Sequence, residues 1–227
     1  SNRAPIANWA GASSPYYPPD PTGAVSSTHY IQMVNSTPVT IYDKTGTQIT
    51  QFDLGTLFGS GNSGDPIVMY DKFADRWVLK QFETTNEKKI YIAVSKTSDP
   101  LGAYYTYTYV SPEFPDYLKF SIWADGYYMT SNQTTDKVYV FERDEMLIGN
   151  GSARGIYTNF STGSVSGFYD PLPADAADND VLPSVGTPLP FMSYYDNNWG
   201  GGTDGIKICN MTTNWTTGTA TISGPIQ

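Results

Sequence analysis

Hydrophobic positions along this chain fall in short runs separated by Gly, Pro, Asp and Asn. The clearest stretch reads as four strands: residues 66–71 (PIVMYD), 77–82 (WVLKQF), 90–95 (IYIAVS) and 103–110 (AYYTYTYV). Between them lie Asp75–Arg76, Asn86–Glu87 and Asp99–Pro100–Leu101–Gly102, all residue types that favour tight turns. The first and third runs are almost continuously apolar, as expected of strands covered on both faces. The fourth alternates. Tyr105, Tyr107 and Tyr109 point one way and Thr106 and Thr108 the other, which predicts an outer strand with one wetter face.

The same grammar recurs. Asp65-Pro66-Ile67-Val68-Met69-Tyr70 finds a counterpart in Asp116-Tyr117-Leu118-Lys119-Phe120-Ser121, 51 positions on (65 to 116). Ala74-Asp75-Arg76-Trp77-Val78-Leu79 matches Ala124-Asp125-Gly126-Tyr127-Tyr128-Met129, and residues 138–143 stand where 90–95 stood. Upstream, residues 29–34 and 39–44 repeat the second and third strands, with Ser27–Thr28 as their turn. Downstream, residues 189–195, 205–211 and 216–222 form a looser copy after a longer insertion. No long amphipathic helix is legible.

A four-stranded sheet of this size cannot bury two apolar faces by itself, and radial stacking of successive sheets solves the problem. The expectation is therefore an all-β protein, a β-propeller with about four blades of four antiparallel strands, which a larger ring could extend. Residues 1–15 form an N-terminal segment, and the blades occupy about 16–60, 61–111, 112–163 and 164–227. A β-sandwich also uses many short strands, but it would give every strand a wet face, and the inner runs lack one.

Composition agrees with this picture. Of 227 residues 39% are hydrophobic and 15% aromatic, with 21 Gly and 16 Pro to supply turns. Thirteen basic and 22 acidic side chains leave a formal charge of −9, which repels a phosphate backbone and argues against nucleic acid as a partner. The lone cysteine, Cys209, cannot make an internal disulfide and reads as a small buried hydrophobe. No apolar run approaches the roughly 18 residues that a membrane-spanning helix needs. The first five residues have neither the charged nor the apolar region of a signal peptide, so any export signal is expected to have been removed already.

Several motifs in order carry a family resemblance. They are Pro18-Pro19-Asp20, His29-Tyr30-Ile31-Gln32, Gly64-Asp65-Pro66-Ile67-Val68-Met69-Tyr70-Asp71 and Ala74-Asp75-Arg76-Trp77-Val78. After these come Ala93-Val94-Ser95 before Asp99-Pro100, then Phe114-Pro115-Asp116-Tyr117 and Asp125-Gly126-Tyr127-Tyr128-Met129. Over residues 16–210 the chain resembles a family of exported bacterial proteins, common in Bacteroidetes and other environmental bacteria. These look like β-propellers joined to further extracellular modules and a C-terminal sorting domain. The resemblance implies an extracellular or cell-surface location and brings no activity or catalytic residues with it. Two departures stand out. Pro21 follows Asp20 where the family has a polar residue, and members continue with further blades after the region resembling 203–226. The expectation is a fragment, or a ring completed by another chain.

Asp20, Asp65, Asp116 and Asp175 each precede or open the first strand of a blade. First strands line a propeller's channel, so these four would form a carboxylate ring suited to a hard cation such as Ca²⁺. The competing reading is that each Asp caps its own turn by accepting backbone N–H bonds. The acidic stretch Asp170, Asp175, Asp178 and Asp180 lacks the Gly and terminal Glu of an EF-hand and reads as a solvated loop. Tyr16, Tyr17, Trp199 and Trp215 sit in or near loops, where aromatic rings can stack on sugar faces or staple the loops. Gly200–Gly202 would let the Trp199 loop adapt.

Catalytic chemistry is harder to assemble. Only Arg3, Arg76, Arg143 and Arg154 are available, too scattered for the arginine cluster of a sialidase-type propeller, and the Ser-x-Asp-x-Gly-x-Thr-Trp turn of those enzymes is missing. The sole histidine, His29, opens an apolar strand and reads as structural. The expected function is a secreted or cell-surface, non-catalytic binding or adhesion module. Its partner would be an extracellular glycan, a protein, or a chain completing the propeller, and calcium would rigidify it. The alternatives are a glycoside hydrolase or lyase using the channel carboxylates, and a structural surface or fibre subunit.

Overall fold

The computed structural model describes residues 4–83, 88–160, 171–199 and 203–226. Among these, sixteen strands form four four-stranded antiparallel sheets, and helix is limited to short 3-10 turns and one five-residue α-helix, α1 (Arg143–Leu147). No helix among the described residues is long and apolar enough to cross a membrane. The chain divides into two compact units, 1–111 and 112–227. The Asn86–Glu87 turn, Asp170 and Gly200–Gly202 lie outside the described residues.

In the first unit, β1 (Thr22–Val25), β2 (His29–Met33), β3 (Val39–Asp43) and β4 (Gln48–Phe52) hydrogen-bond in chain order. So do β5 (Ile67–Asp71), β6 (Arg76–Phe82), β7 (Lys89–Ser95) and β8 (Tyr104–Val110). The runs at 66–71, 77–82, 90–95 and 103–110 thus become the four strands of one meander. Turn chemistry fixes their ends. The Asp71 carboxylate accepts from the Ala74 N–H at 3.2 Å, and Asp99 accepts from the Leu101 N–H at 3.0 Å. Strands β1 and β4 carry too little apolar sequence to stand out, and their neighbours recruit them.

Register explains how the two sheets of this unit meet. Ile31 pairs with Ile41, and Val68 with Leu79 and Ala93 through successive strands. Because side chains alternate between faces, these residues lie on facing sides and build one core with Met33, Val39 and Trp77. The other face of the second sheet is also buried: Met69, Val78, Lys80, Ile92 and Val94 all lack significant exposure. The third run, β7, is covered on both faces as expected; the second, β6, is buried just as fully, and the first, β5, less so. In β8 the expected alternation holds, with Tyr107 buried and Thr106 and Thr108 exposed.

The second unit holds β9 (Asp116–Ile122), β10 (Tyr127–Asn132), β11 (Lys137–Phe141) and β12 (Gly155–Asn159) as one meander. The other consists of β13 (Leu172–Pro173), β14 (Leu189–Tyr195), β15 (Gly205–Asn214) and β16 (Thr219–Ile226). Three details correct the sequence reading. Residues 138–143 are not all strand, because β11 ends at Phe141 and Arg143 opens α1, with Asp144 and Glu145 in the first turn where the helix dipole favours acids. The last strand begins at 219 rather than 216. Asn214 accepts from the Thr216 and Thr217 N–H groups and Gly218 turns left-handed, which makes a loop of 215–218. Finally, β13 is only two residues long, since proline cannot donate to a ladder and survives only at a sheet edge.

The two sheets of this unit join through Phe160 against Phe191, edge to face at 4.9 Å, and through the Thr130 hydroxyl, which donates to the Pro171 carbonyl at 2.6 Å. Their packed side includes Leu189, Phe191, Cys209 and Met211, all buried. The opposite side of the β13–β16 sheet does not behave like this. Leu172, Met192, Tyr194, Ile206 and Ile208 are neighbours across strands, yet each keeps between 38% and 53% of its surface exposed.

Trp77 is fully buried in the first unit's core, and its indole N–H donates to the Ser98 carbonyl at 3.1 Å. Trp77→Ala is expected to lower unfolding free energy by about 3–5 kcal/mol. Urea denaturation measured against the parent protein checks it.

Candidate binding surface

Each of the four first-strand acids makes a hydrogen bond within its own unit. Asp20 and Asp65 sit at φ 41° and 47°, left-handed positions that Asp tolerates better than most residues. The Asp20 carboxylate accepts from the Asn35 amide at 2.9 Å. The Asp65 carbonyl accepts from the Nζ of Lys80, a buried side chain, at 3.2 Å. Asp116 opens β9 and accepts from the Tyr117 N–H at 3.0 Å. Asp175 follows its first strand instead of preceding it, because the insertion places β13 at 172–173. Its carboxylate caps a 3-10 turn through the Ala177 N–H at 3.0 Å and takes the Ile122 N–H at 3.3 Å. Within each unit, no three His, Cys, Asp or Glu side chains among the described residues are grouped as metal ligands.

Of the loop aromatics, Tyr16 and Tyr17 are 54% and 93% exposed. The Trp199 side chain lies outside the described residues. Trp215 is a staple. Its indole N–H donates to the Asp125 carbonyl at 2.7 Å, the Arg154 guanidinium lies 5.2 Å from its ring centre, and Arg154 Nη1 donates to its carbonyl at 2.7 Å. Arg154 is held in turn by Glu142, whose Oε2 accepts from Nε at 2.9 Å. His29 is also local, pairing its Nδ1 with the Thr28 hydroxyl at 2.9 Å.

A surface that the sequence did not advertise lies on the first unit. Alternation along β2 and β3 sends Ile31, Met33, Val39 and Ile41 to the core and leaves Tyr30, Gln32, Thr40 and Tyr42 on the other face. Residues 9–14 of the N-terminal segment lie across that face. The half-buried Trp9 ring meets Tyr30 edge-on at 5.8 Å and Tyr42 at 6.0 Å. The Ala12 N–H donates to Gln32 Oε1 at 2.8 Å, and the Ser14 hydroxyl donates to the Asn35 carbonyl at 2.8 Å.

Two glycines permit the approach. A Cβ on Gly11 would stand 2.3 Å from Gln32 Oε1, and one on Gly46, at φ +94°, would stand 2.5 Å from the Trp9 ring. The segment leaves a cleft on either side. One, of about 260 Å³, is lined by Asn8, Trp9, Tyr30 and Gln32; the other, of about 380 Å³, by Thr37, Thr40, Tyr42, Gln48 and Gln51. Gly11 borders both. Among the described residues neither cleft is lined by Asp, Glu, His, Lys or Arg.

No family model, curated protein or solved structure matches this chain. The chemistry of the surface has to be judged from its own groups. Amides and hydroxyls that both donate and accept surround aromatic rings, and among the described residues that line the clefts there is no nucleophile–base pair. Sequence reasoning passed over Trp9 because it lies outside the repeats. The signal for the rest was the period of two in residues 29–33 and 39–43, which puts Tyr and Gln where a solvent-facing strand would have had small polar residues.

In the second unit, Asp125 links the two sheets: its carboxylate accepts from the Tyr128 hydroxyl at 3.0 Å, and that hydroxyl also meets Thr213 at 2.9 Å. Burial pushes the Asp125 carboxyl above the usual Asp range, against the lowering effect of the Tyr128 bond. A raised folded-state value means that the folded protein holds the proton more tightly than the unfolded chain does. The stability it contributes is present below the ordinary Asp value and is lost as pH rises through the raised one. Asp125→Asn is expected to remove this loss. The variant should gain on the parent between pH 4 and pH 7, and urea denaturation at both values reads the difference.

Proposed function

We propose that the four sheets are consecutive blades of a β-propeller and that the protein acts outside a bacterial cell as a non-catalytic binding and adhesion module. The observation that supports this most is the pair of uncharged clefts on the β1–β4 sheet, where aromatic rings, amides and hydroxyls are offered without catalytic groups among them. The blade reading is supported by four meanders in strict chain order and by the middle strands β6, β7, β10 and β11, which are buried on both sides. The extracellular assignment rests on the resemblance to exported bacterial proteins.

If a hard cation rigidifies the acidic turns, calcium raises the melting temperature and chelation lowers it, because a ligand that binds only the folded state stabilises it. Asp20, Asp65, Asp116 and Asp175 are the positions to replace first.

One observation favours a second reading, a structural surface or fibre subunit. The exposed face carrying Leu172, Met192, Tyr194, Ile206 and Ile208 has the composition of a packed sheet, and contiguous apolar patches of this kind mark interaction sites. A further four-stranded sheet, from this chain or another, would fit it.

The binding reading is tested by presenting the protein to immobilised neutral and acidic glycans and to extracellular matrix proteins, with product release followed in parallel. Saturable binding without turnover is the expected result. Release of reducing ends or unsaturated products that disappears in Asp65→Asn would overturn it in favour of a hydrolase or lyase.

A further inference from the structure

Four of the five tryptophans have described side chains, and three of these are locked by their indole N–H groups. Trp77 donates to the Ser98 carbonyl at 3.1 Å, Trp123 to the Thr187 carbonyl at 2.9 Å and Trp215 to the Asp125 carbonyl at 2.7 Å. Trp9 differs. It is half-buried on the outer face of the β1–β4 sheet, and its N–H makes no hydrogen bond to a described residue. Around it, Gln32 uses its oxygen to hold Ala12, while its amide NH₂ makes no bond to a described residue, and the Tyr30 hydroxyl makes none either. These three groups, gathered on one half-buried face, can donate to a ligand that supplies oxygen acceptors.

We propose that Trp9, Tyr30 and Gln32 form a binding site for a neutral carbohydrate, a choice of ligand that rests on the binding-module reading and gives it a place and a chemical class. The C–H face of a pyranose ring carries weak positive charge and rests favourably on the negative face of an indole or phenol ring. Its hydroxyls each donate and accept, which suits the Gln32 amide, the Asn8 amide and the Tyr30 hydroxyl. An acidic sugar would bring a carboxylate into a cleft with no cation to meet it, and a charge taken out of water without a partner is strongly penalised. The cleft of about 260 Å³ lies just below the common range for ligand sites, roughly 300–1,000 Å³. It therefore holds one or two sugar units of a chain that continues outside. The neighbouring cleft, with Gln48 and Gln51, shares Gly11 with it and would receive further units.

Affinity electrophoresis tests the site, using native gels cast with hydroxyethylcellulose, galactomannan or xylan, and with polygalacturonate as the acidic comparison. At least one neutral polymer should retard the protein, and polygalacturonate should not. Trp9→Ala and Gln32→Ala should each weaken the retardation about tenfold or more, the loss typical of truncating a central anchor. Gly46→Val keeps the indole but displaces it from its seat, and should weaken retardation similarly. Tyr16→Ala and Tyr17→Ala should leave it unchanged. Unchanged melting temperatures identify the variants whose loss is local, and any one of the three site variants that folds is enough.

Retardation that survives all folded site variants would overturn this site while leaving a binding module, and loss in Tyr16→Ala or Tyr17→Ala instead would move the site there. Failure of every neutral polymer to retard the parent protein would also overturn it. The broader reading would then stand or fall on the glycan and protein panel described above.

Discussion

Face-to-face burial of small sheets is the constraint on which the rest of this structure depends. A meander of four short strands has two faces and almost no interior, so it is marginal in water unless something covers it. In the first unit the cover is mutual: Ile31, Val39 and Ile41 from one sheet meet Val68, Trp77 and Leu79 from the next. Each such side chain contributes about 1.5–3 kcal/mol when fully removed from water, and the period of two guarantees that the contributing residues share a face. A shift of one residue in any ladder would turn these side chains outward and put Tyr30, Gln32 and Thr40 in the core. Register is therefore fixed by burial, and the turns need only be compatible with it.

Polar groups finish what the apolar faces begin. Two buried indoles, Trp77 and Trp123, and the half-buried Trp215 each hand the N–H to a backbone carbonyl on a nearby loop. The result is a joint with both packing and direction. Aspartates do comparable work at the turns, where their carboxylates satisfy N–H groups that have no ladder partner. An acidic chain with a formal charge of −9 can therefore carry many Asp residues for local reasons. Asp125 shows the cost of that habit, since the same inward placement that links two sheets also raises the free energy of its charge.

The face of the β1–β4 sheet away from the core is built on other terms. A stretch of irregular chain covers it through one indole, two hydrogen bonds and two close glycine contacts, where elsewhere a sheet would supply a continuous apolar surface. Such a cover is thin and leaves polar clefts at its margins. Binding chemistry fits there because donors and acceptors are present and charge is absent. The β13–β16 sheet has the opposite character on its outer side, apolar and bare. Among the described residues, the first unit thus presents a polar sheet face and the second an apolar one.

The repeat of about fifty residues, the number of sheets and the positions of β5 to β8 were all legible in the sequence, because local alternation and turn residues are short-range properties. What alternation cannot say is what lies opposite a given face. Trp9 gave no sign of joining Tyr30 and Tyr42, because its neighbours are set by a chain that crosses the sheet some twenty to thirty positions away in sequence. Trp215 read from the sequence as a loop aromatic that could stack on a ligand or staple its loop, and its bonds to Asp125 and Arg154 make it a staple. Sequence specified which residues must be buried. Only the tertiary structure decided what buries them, since contact between faces depends on the path of the whole chain and not on the pattern within any strand.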